Sequence, residues 1–329
     1  MTSDVYTQSV YLMMQASHLY YTCGMSQQSI ADQLGVSVTT VSRLLKKAKE
    51  EKLVRYVIDE ACGECMLLSE EIQKTFNLKE VVIAPRTLNE KYYRSPSDKR
   101  KVVALEGARY LQRTIQDNDV LGISWGRIVC DMLLYLNPSH KSNTKFVTLH
   151  GNLGNCIEKD LEELVKGMAK VFSGRYYYLA SRALLPKKEM ADEIKEKENA
   201  KKVFEMFQHV NISITGIGTW YPVPMSILTE NGFLTVEEQR KLLKEDVVGD
   251  IGLRFFNSKG EECNTELADR LLSIDLCQFK KIEKKITVAA GLEKRHTIFR
   301  ALKGGLIDVL IIDEELGREL LEINKNNEK

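Results

Sequence analysis

No lysine or arginine precedes Arg43 in this chain of 329 residues. Nor does any stretch approach the roughly 20 uninterrupted apolar residues that span a bilayer. The N-terminus carries no basic segment ahead of an apolar core, so no secretory leader is expected. Seven cysteines, an odd number scattered over a long chain, argue against a disulfide framework and suit a reducing cytoplasm. Cys62 and Cys65 form a Cys-x-x-Cys pair, but no second pair or His-x-x-x-His lies near by. A structural zinc site needs four ligands, and thioredoxin-like chemistry needs its pair inside a βαβ unit. The two are therefore expected as plain thiols in a linker, with no metal bound. Internal repeats and low-complexity segments are absent.

What is present describes an ordinary globular protein: 43% hydrophobic and 28% charged residues. The length suits two domains, or one large domain with a small appendage. A net charge of +1 says little until it is divided along the chain. Between Val36 and Ile58 stand six cations (Arg43, Lys46, Lys47, Lys49, Lys52, Arg55) against Glu50 and Glu51. Positive charge focused on one short segment is the distribution that phosphate binding needs.

That segment continues SQQSIADQLGVSVTTVSRLL, Ser26 to Leu45. Ile30, Ala31 and Leu34 share one face of a first short helix. Gly35 supplies a left-handed stop, Val36 packs in the turn, and Ser37 is placed to cap a second helix. Val41, Leu44 and Leu45 line the buried face of that second helix. Its outer face is read as Val38, Thr39, Thr40, Ser42, Arg43, Lys46 and Lys47. Small hydroxyl residues followed by cations suit base edges first and phosphates after. The pattern alone leaves a plain helical hairpin as the alternative. Val5 to Thr22, apolar at helical spacing, is expected to pack across the pair as a third helix. Leu53 to Ile58 alternates like a short strand.

From Met66 onward the pattern becomes alternating helix and strand. Strands are expected at Val81–Pro85, Val120–Ser124, Phe146–His150, Tyr176–Ala180, Ile212–Gly218, Ile286–Gly291 and Leu306–Asp313. Helices are expected at 66–76, 102–115, 125–136, 161–171 and 200–209, with two more after Gly291. Short apolar runs between amphipathic helices predict a parallel sheet covered on both faces, a doubly wound α/β domain. The expected organisation is a DNA-binding domain over 1–60, a linker over 61–66 and an α/β domain over 67–329.

Ligands of such sheets sit beyond the carboxyl ends of the strands, and five segments carry suitable residues. GISWG, Gly122 to Gly126, runs from a strand into a helix, with Ser124 offering a hydroxyl and the helix start offering donors to a phosphate. HGNLGN begins at His150 and GIGTW at Gly216. GDIGLRFF holds Asp250, an acceptor for sugar hydroxyls, and Arg254, a counter-charge. In AAGLEKRH, Lys294 stands in the first turn of a helix, where it would neutralise a phosphate or pair with a carboxylate. Each also has a plain reading: glycines for turn geometry, Asp250 as a cap, Arg254 and Lys294 as solvated cations.

End to end, the chain resembles the SorC-type sugar-binding transcriptional regulators, a group often described with the DeoR regulators. The resemblance rests on SQQSIADQLGVSVTTVSRLL, on DVLGISWG at Asp119 to Gly126, on VGDIGLRFFNSKG at Val248 to Gly260 and on VAAGLEKRHTIFRALKGGLIDVLIIDEE at Val288 to Glu315. It implies a regulator, repressor or activator, that binds operator DNA as a homo-oligomer, tetramer or dimer. It further implies a C-terminal domain, similar to sugar-phosphate isomerases and deaminases, that takes a sugar phosphate as effector, with no cofactor. Carried over, Gly122, Ser124, Trp125 and Gly126 match the phosphate-binding turn. Gly151, Asp250 and Lys294 match positions that line the effector pocket; Asn152 puts a polar side chain beside it, and Arg254 is expected there as a counter-charge on the reading of its own segment. Thr39, Thr40, Ser42 and Arg43 match the DNA-reading face, and the capping Ser37 with the cations Lys46 and Lys47 is expected to bind DNA beside them. Three departures stand out: Val38 where relatives often carry Arg, Gly151-Asn152 for a Gly-Gly turn, and Ala289-Ala290-Gly291 for a more glycine-rich one. An enzyme with a DNA-binding appendage is the alternative, with Asp250, Glu293 or His150 as the base. No paired constellation beyond ligand binding supports it.

Overall fold

The computed structural model describes residues 2–51, 53–54, 60–85, 95–138, 142–153, 160–229 and 233–327. The chain divides into two compact units, Met1–Asp59 and Glu60–Lys329.

The first unit is helical. Helix α1 (Thr2–Ser17) runs on into a π-helical turn (His18–Thr22), followed by α2 (Gln27–Leu34) and α3 (Val38–Glu50). Ala16, Ile30, Ala31, Val41 and Leu45 form its core, with Leu34, Val38 and Leu44 packed against it. The strand expected at 53–58 falls almost entirely outside the described residues, and Leu53 and Val54 form a bend.

The second unit opens with α4 (Glu60–Phe76) and β1 (Glu80–Ala84). The linker expected at 61–66 is instead the first turns of α4, whose Cys65 is buried among Leu68 and Ile72. Then come α5 (Pro96–Thr114), β2 (Val120–Ile123), α6 (Arg127–Met132), β3 (Lys145–Thr148), α7 (Leu161–Phe172) and β4 (Arg175–Tyr177). Next are α8 (Lys188–Lys195), α9 (Glu198–Phe207), β5 (Ile212–Thr215), β6 (Gly218–Thr219) and α10 (Val236–Lys244). The chain closes through β7 (Val247–Ile251), β8 (Arg254–Asn257), α11 (Leu276–Lys280), β9 (Lys284–Ala289), α12 (Arg295–Lys303), β10 (Val309–Asp313) and α13 (Glu314–Asn327).

Seven strands form one sheet in the order β1-β10-β9-β5-β2-β3-β4, and every pairing in it is parallel. Successive side chains of a strand point to opposite faces. Leu121, Phe146, Ile286, Val288 and Ile311 accordingly join one core under α5 and α7. Val120, Val147, Ala289, Leu310 and Ile312 join the other under α4, α9, α12 and α13. With both faces covered, the strands read as unbroken apolar runs rather than alternating ones.

Two expectations are corrected. GDIGLRFF is not an end of the parallel sheet: β7 and β8 are an antiparallel hairpin that forms a separate small sheet with β6. Helix α5 begins at Pro96, six residues before the apolar periodicity starts at Val102. Ser95 caps it by accepting from the Asp98 N–H at 3.2 Å, and Asp98 accepts from the Ser95 N–H at 3.1 Å.

The connections leave β2 toward β3 and β4 on one side and leave β5 toward β9 and β10 on the other. The winding therefore reverses between β2 and β5. A crevice at the carboxyl ends of strands flanking such a reversal is where open α/β sheets bind ligands.

Candidate functional site

In the N-terminal unit, Gly35 ends α2 with φ +64, a conformation that a Cβ would strain. Ser37 then caps α3, its Oγ accepting from the Thr40 N–H at 3.1 Å. The same Oγ lies 2.8 Å from the hydroxyls of both Thr39 and Thr40, so three of the expected DNA-reading groups form one network. Thr39, Ser42, Arg43, Lys46 and Lys47 are exposed and Thr40 is half-buried. Lys46 reaches Glu50 at 3.9 Å and Lys47 reaches Glu51 at 3.4 Å. Exposed pairs of this kind contribute under about 1 kcal/mol, so both lysines can exchange partners with a phosphate at little cost. Val38 is corrected: at i−3 to Val41 it belongs to the buried stripe, not the outer face.

In the C-terminal unit a cleft of about 730 Å³ opens at the β2/β5 reversal. Of the residues expected at the effector site, Ser124, Trp125, Gly126, Asp250 and Lys294 line it. The turn after β2 is held from beneath by His150, whose Nε2 accepts from the Trp125 N–H at 3.0 Å and lies 3.1 Å from Ser124 Oγ. Its Nδ1 lies 2.7 Å from the Gly151 carbonyl. Since Nε2 accepts, the proton sits on Nδ1 and is donated to that carbonyl. Burial pushes the imidazole pKa down to about 4, the Gly151 hydrogen bond only partly opposing it.

Asp250 is buried in the lining of the same cleft and accepts from Trp220 Nε1 at 2.8 Å. Burial raises its pKa above the ordinary carboxylate value, against the pull of Ser226, Trp220 and the Lys294 charge. A Cβ on Gly218 would lie 2.1 Å from Asp250 Oδ1, so only glycine admits the carboxylate there. Lys294 donates from Nζ to the Ile217 carbonyl at 2.6 Å, tying the turn after β9 to the turn after β5. The combination offers a buried acceptor for hydroxyls, and a cation and a serine hydroxyl for an anion in the same cleft.

Four expected residues lie elsewhere. Gly122 is inside β2, and a Cβ there would meet Leu149 at 2.6 Å, so its glycine serves packing between sheet and core. Gly151 likewise packs against backbone, 2.7 Å from the Ser181 carbonyl oxygen at the Cβ position. Asn152 lines a different cleft, of about 580 Å³, with Asp160 and Arg182. Arg254 is a structural clamp: it donates to the carbonyls of Ile274 at 3.1 Å, Ala268 at 3.3 Å and Ser273 at 3.0 Å, and pairs with Glu262 at 3.4 Å.

The sequence reading missed several wall residues. Lys99, Arg100, Arg127, Ser226 and Glu315 all line the cleft. Lys99 pairs with Glu315 at 2.5 Å and Arg100 with Asp131 at 2.6 Å. The Ser95-Pro96-x-Asp98 capping signal would have extended α5 back far enough to bring both cations to the strand ends. Of the three candidate bases, Asp250 and Glu293 line the cleft and His150 does not. Among the described residues, no group of three or more His, Cys, Asp or Glu is arranged to hold a metal ion, and no helix is long and apolar enough to cross a membrane.

Comparison with known proteins places the chain among regulators. The sugar-binding domain family (Sugar-bind) matches residues 60–322, and the sigma-70 region 4 family matches residues 19–51. The deoxyribonucleoside regulator of Bacillus subtilis (strain 168) is 30% identical over 94% of this chain and 97% of its own length. The sorbitol operon regulator of Klebsiella pneumoniae is 27% identical over 94% of this chain and 98% of its own. The crystal structure of that full-length regulator, SorC, superposes with a TM-score of 0.74 over 95% of this chain and 98% of its own.

Proposed function

This chain belongs to the SorC-type family of sugar-binding transcriptional regulators, and from that premise we propose that it controls genes of carbohydrate uptake or catabolism in response to a phosphorylated sugar. The N-terminal unit binds operator DNA, with Ser37, Thr39, Thr40, Ser42 and Arg43 at the groove and Lys46 and Lys47 on flanking phosphates. One recognition helix reaches few phosphates, so the working form is a homo-oligomer, dimer or tetramer, that spans two half-sites. Its place of work is the cytoplasm, where its operator is.

The single observation behind the effector class is the composition of the cleft at the strand reversal. Asp250 and Ser226 accept and donate to sugar hydroxyls. The Ser124 hydroxyl and the Lys294 ammonium take the phosphate, beside the Gly126 backbone. The cleft acts as a sensor, not a catalyst: binding there favours one of two arrangements of the protein and shifts operator affinity by the same coupling free energy.

A thermal-shift panel of sugar phosphates, each beside its parent sugar, tests this reading. A cognate effector at a hundred times its Kd adds about 2.7 kcal/mol of stability, and the same compound changes operator retention in a gel shift. If no phosphorylated sugar stabilises the protein beyond its parent sugar, the effector class proposed here is wrong.

A further inference from the structure

Lys99 is the fourth residue of α5 and Glu315 the second of α13, and both line the effector cleft. They pair at 2.5 Å, with side chains 25% and 34% exposed. A cation that faces the cleft while held by one carboxylate is in place to be claimed by another anion. We propose that Lys99 is an effector-binding residue that exchanges Glu315 for the anionic group of the ligand, and that this exchange carries effector occupancy to helix α4. The proposal rests on the phosphorylated-effector reading above and deepens it.

The surroundings of α13 make it the element that responds. Asp313, at the end of β10, accepts the Gly291 N–H from the cleft wall at 2.8 Å and the Leu316 N–H at the start of α13 at 3.1 Å. The first turn of α13 is thus tied to the cleft at two points, Asp313 and Glu315. Two residues on, Gly317 packs so closely that a Cβ would meet Ile83 of β1 at 3.1 Å and Ile72 and Leu68 of α4 at 3.2 Å. Close-packed helices of this kind move together rather than deform. Arg318 adds an ion pair to Glu64 of α4 at 2.7 Å, but with side chains 51% and 61% exposed that pair contributes little. The mechanical link is the Gly317 packing. Helix α4 begins at Glu60, the residue that follows directly on the N-terminal unit. Release of Glu315 from Lys99 therefore alters the forces on the one helix that joins the sensor to the operator-binding unit in sequence.

The test compares the full-length protein with Lys99→Met, Lys99→Arg and Glu315→Gln. Inorganic phosphate and a mixed panel of sugar phosphates serve as probes in thermal shift, and operator affinity is measured with and without phosphate. Lys99→Met is expected to weaken phosphate-dependent stabilisation about tenfold or more, and Lys99→Arg to retain most of it. Glu315→Gln removes the competing carboxylate, so phosphate binds several-fold tighter. Its operator affinity without ligand should move to the value the wild-type protein shows when loaded. Equal phosphate response in all variants, or weaker binding in Glu315→Gln, overturns the exchange. An operator affinity unchanged in Glu315→Gln overturns the transmission through α13. If the wild-type protein responds to none of the probes, it is the phosphorylated-effector reading itself that fails.

Discussion

His150 Nε2 accepts the backbone N–H of Trp125 at 3.0 Å. That one bond makes a histidine from β3's exit the floor of the turn that follows β2. A residue that sequence alone offers as a catalytic base is here a neutral, buried support, and protonating it would cost the turn its acceptor.

A pH dependence follows from the pKa of about 4 that burial imposes on this imidazole. The unfolded chain protonates His150 near its ordinary value of about 6.5, before the folded chain does. Stability from this group is therefore fully present above pH 6.5 and is lost progressively as pH falls toward 4, by about 3 kcal/mol in all. Asp250 and Asp313, both raised by burial, act in the opposite sense over the acid range. Urea unfolding of the wild type and His150→Gln, compared at each pH, isolates the histidine contribution. A difference between the two that stays constant from pH 7 to pH 4.5 would rule this out.

Gly122 separates packing from binding. Its Cβ position is 2.6 Å from Leu149 Cδ2 and 3.0 Å from Val210 Cγ1. Gly122→Ala should destabilise the C-terminal unit by about 1–3 kcal/mol through overpacking, while effector affinity, measured well below the lowered Tm, stays at the wild-type value. A selective loss of effector binding with unchanged Tm would return Gly122 to the phosphate turn.

Much of this arrangement is legible in the residues, and the gaps have physical causes. The α2–α3 pair is readable because its signals are local: Gly35 at positive φ, Ser37 as a cap, and apolar residues three and four apart. The parallel strands are readable because burial on both faces leaves unbroken apolar runs. The β7–β8 hairpin is not. Its two-residue turn places Gly252 and Leu253 both at positive φ, and leucine there gives none of the Asn-Gly signal that marks such turns. Arg254 does not declare its role, because its charge is spent on carbonyls supplied 14 to 20 residues later in the chain. Strand order is equally unreadable, since β5 returns beside β2 only through tertiary packing. That return is what brings Gly216 and Gly218 to the same cleft as Ser124.

Arg43 is the exposed cation nearest the start of the recognition helix and so the strongest test of the DNA-binding face. Arg43→Ala should weaken operator retention at least tenfold. The slope of log affinity against log salt should become shallower by about one for each phosphate that the arginine neutralises in the wild type. Effector-induced thermal stabilisation should be unchanged, because Arg43 lies in the other compact unit. Wild-type retention in a gel shift at moderate salt would remove α3 from the operator interface.

Lys294 offers the sharpest discrimination within the cleft. Its ammonium already holds the Ile217 carbonyl at 2.6 Å and stands within electrostatic reach of Asp250, so its loss has two consequences that must be told apart. A purely structural role would loosen the β5 and β9 turns together and weaken every ligand of the cleft alike. A role in binding the phosphate would cost the phosphorylated effector a charge-assisted hydrogen bond, about 1.5–3 kcal/mol or roughly 10- to 150-fold in Kd, and leave the parent sugar nearly unaffected. Lys294→Met keeps the aliphatic stem and removes only the charge, so titration of both ligands against it reads the difference directly. We expect the phosphorylated form to lose its advantage, with Lys294→Arg recovering part of it. Equal losses for the two ligands would confine Lys294 to holding the cleft's shape and leave the anion to Lys99 and the Ser124 hydroxyl.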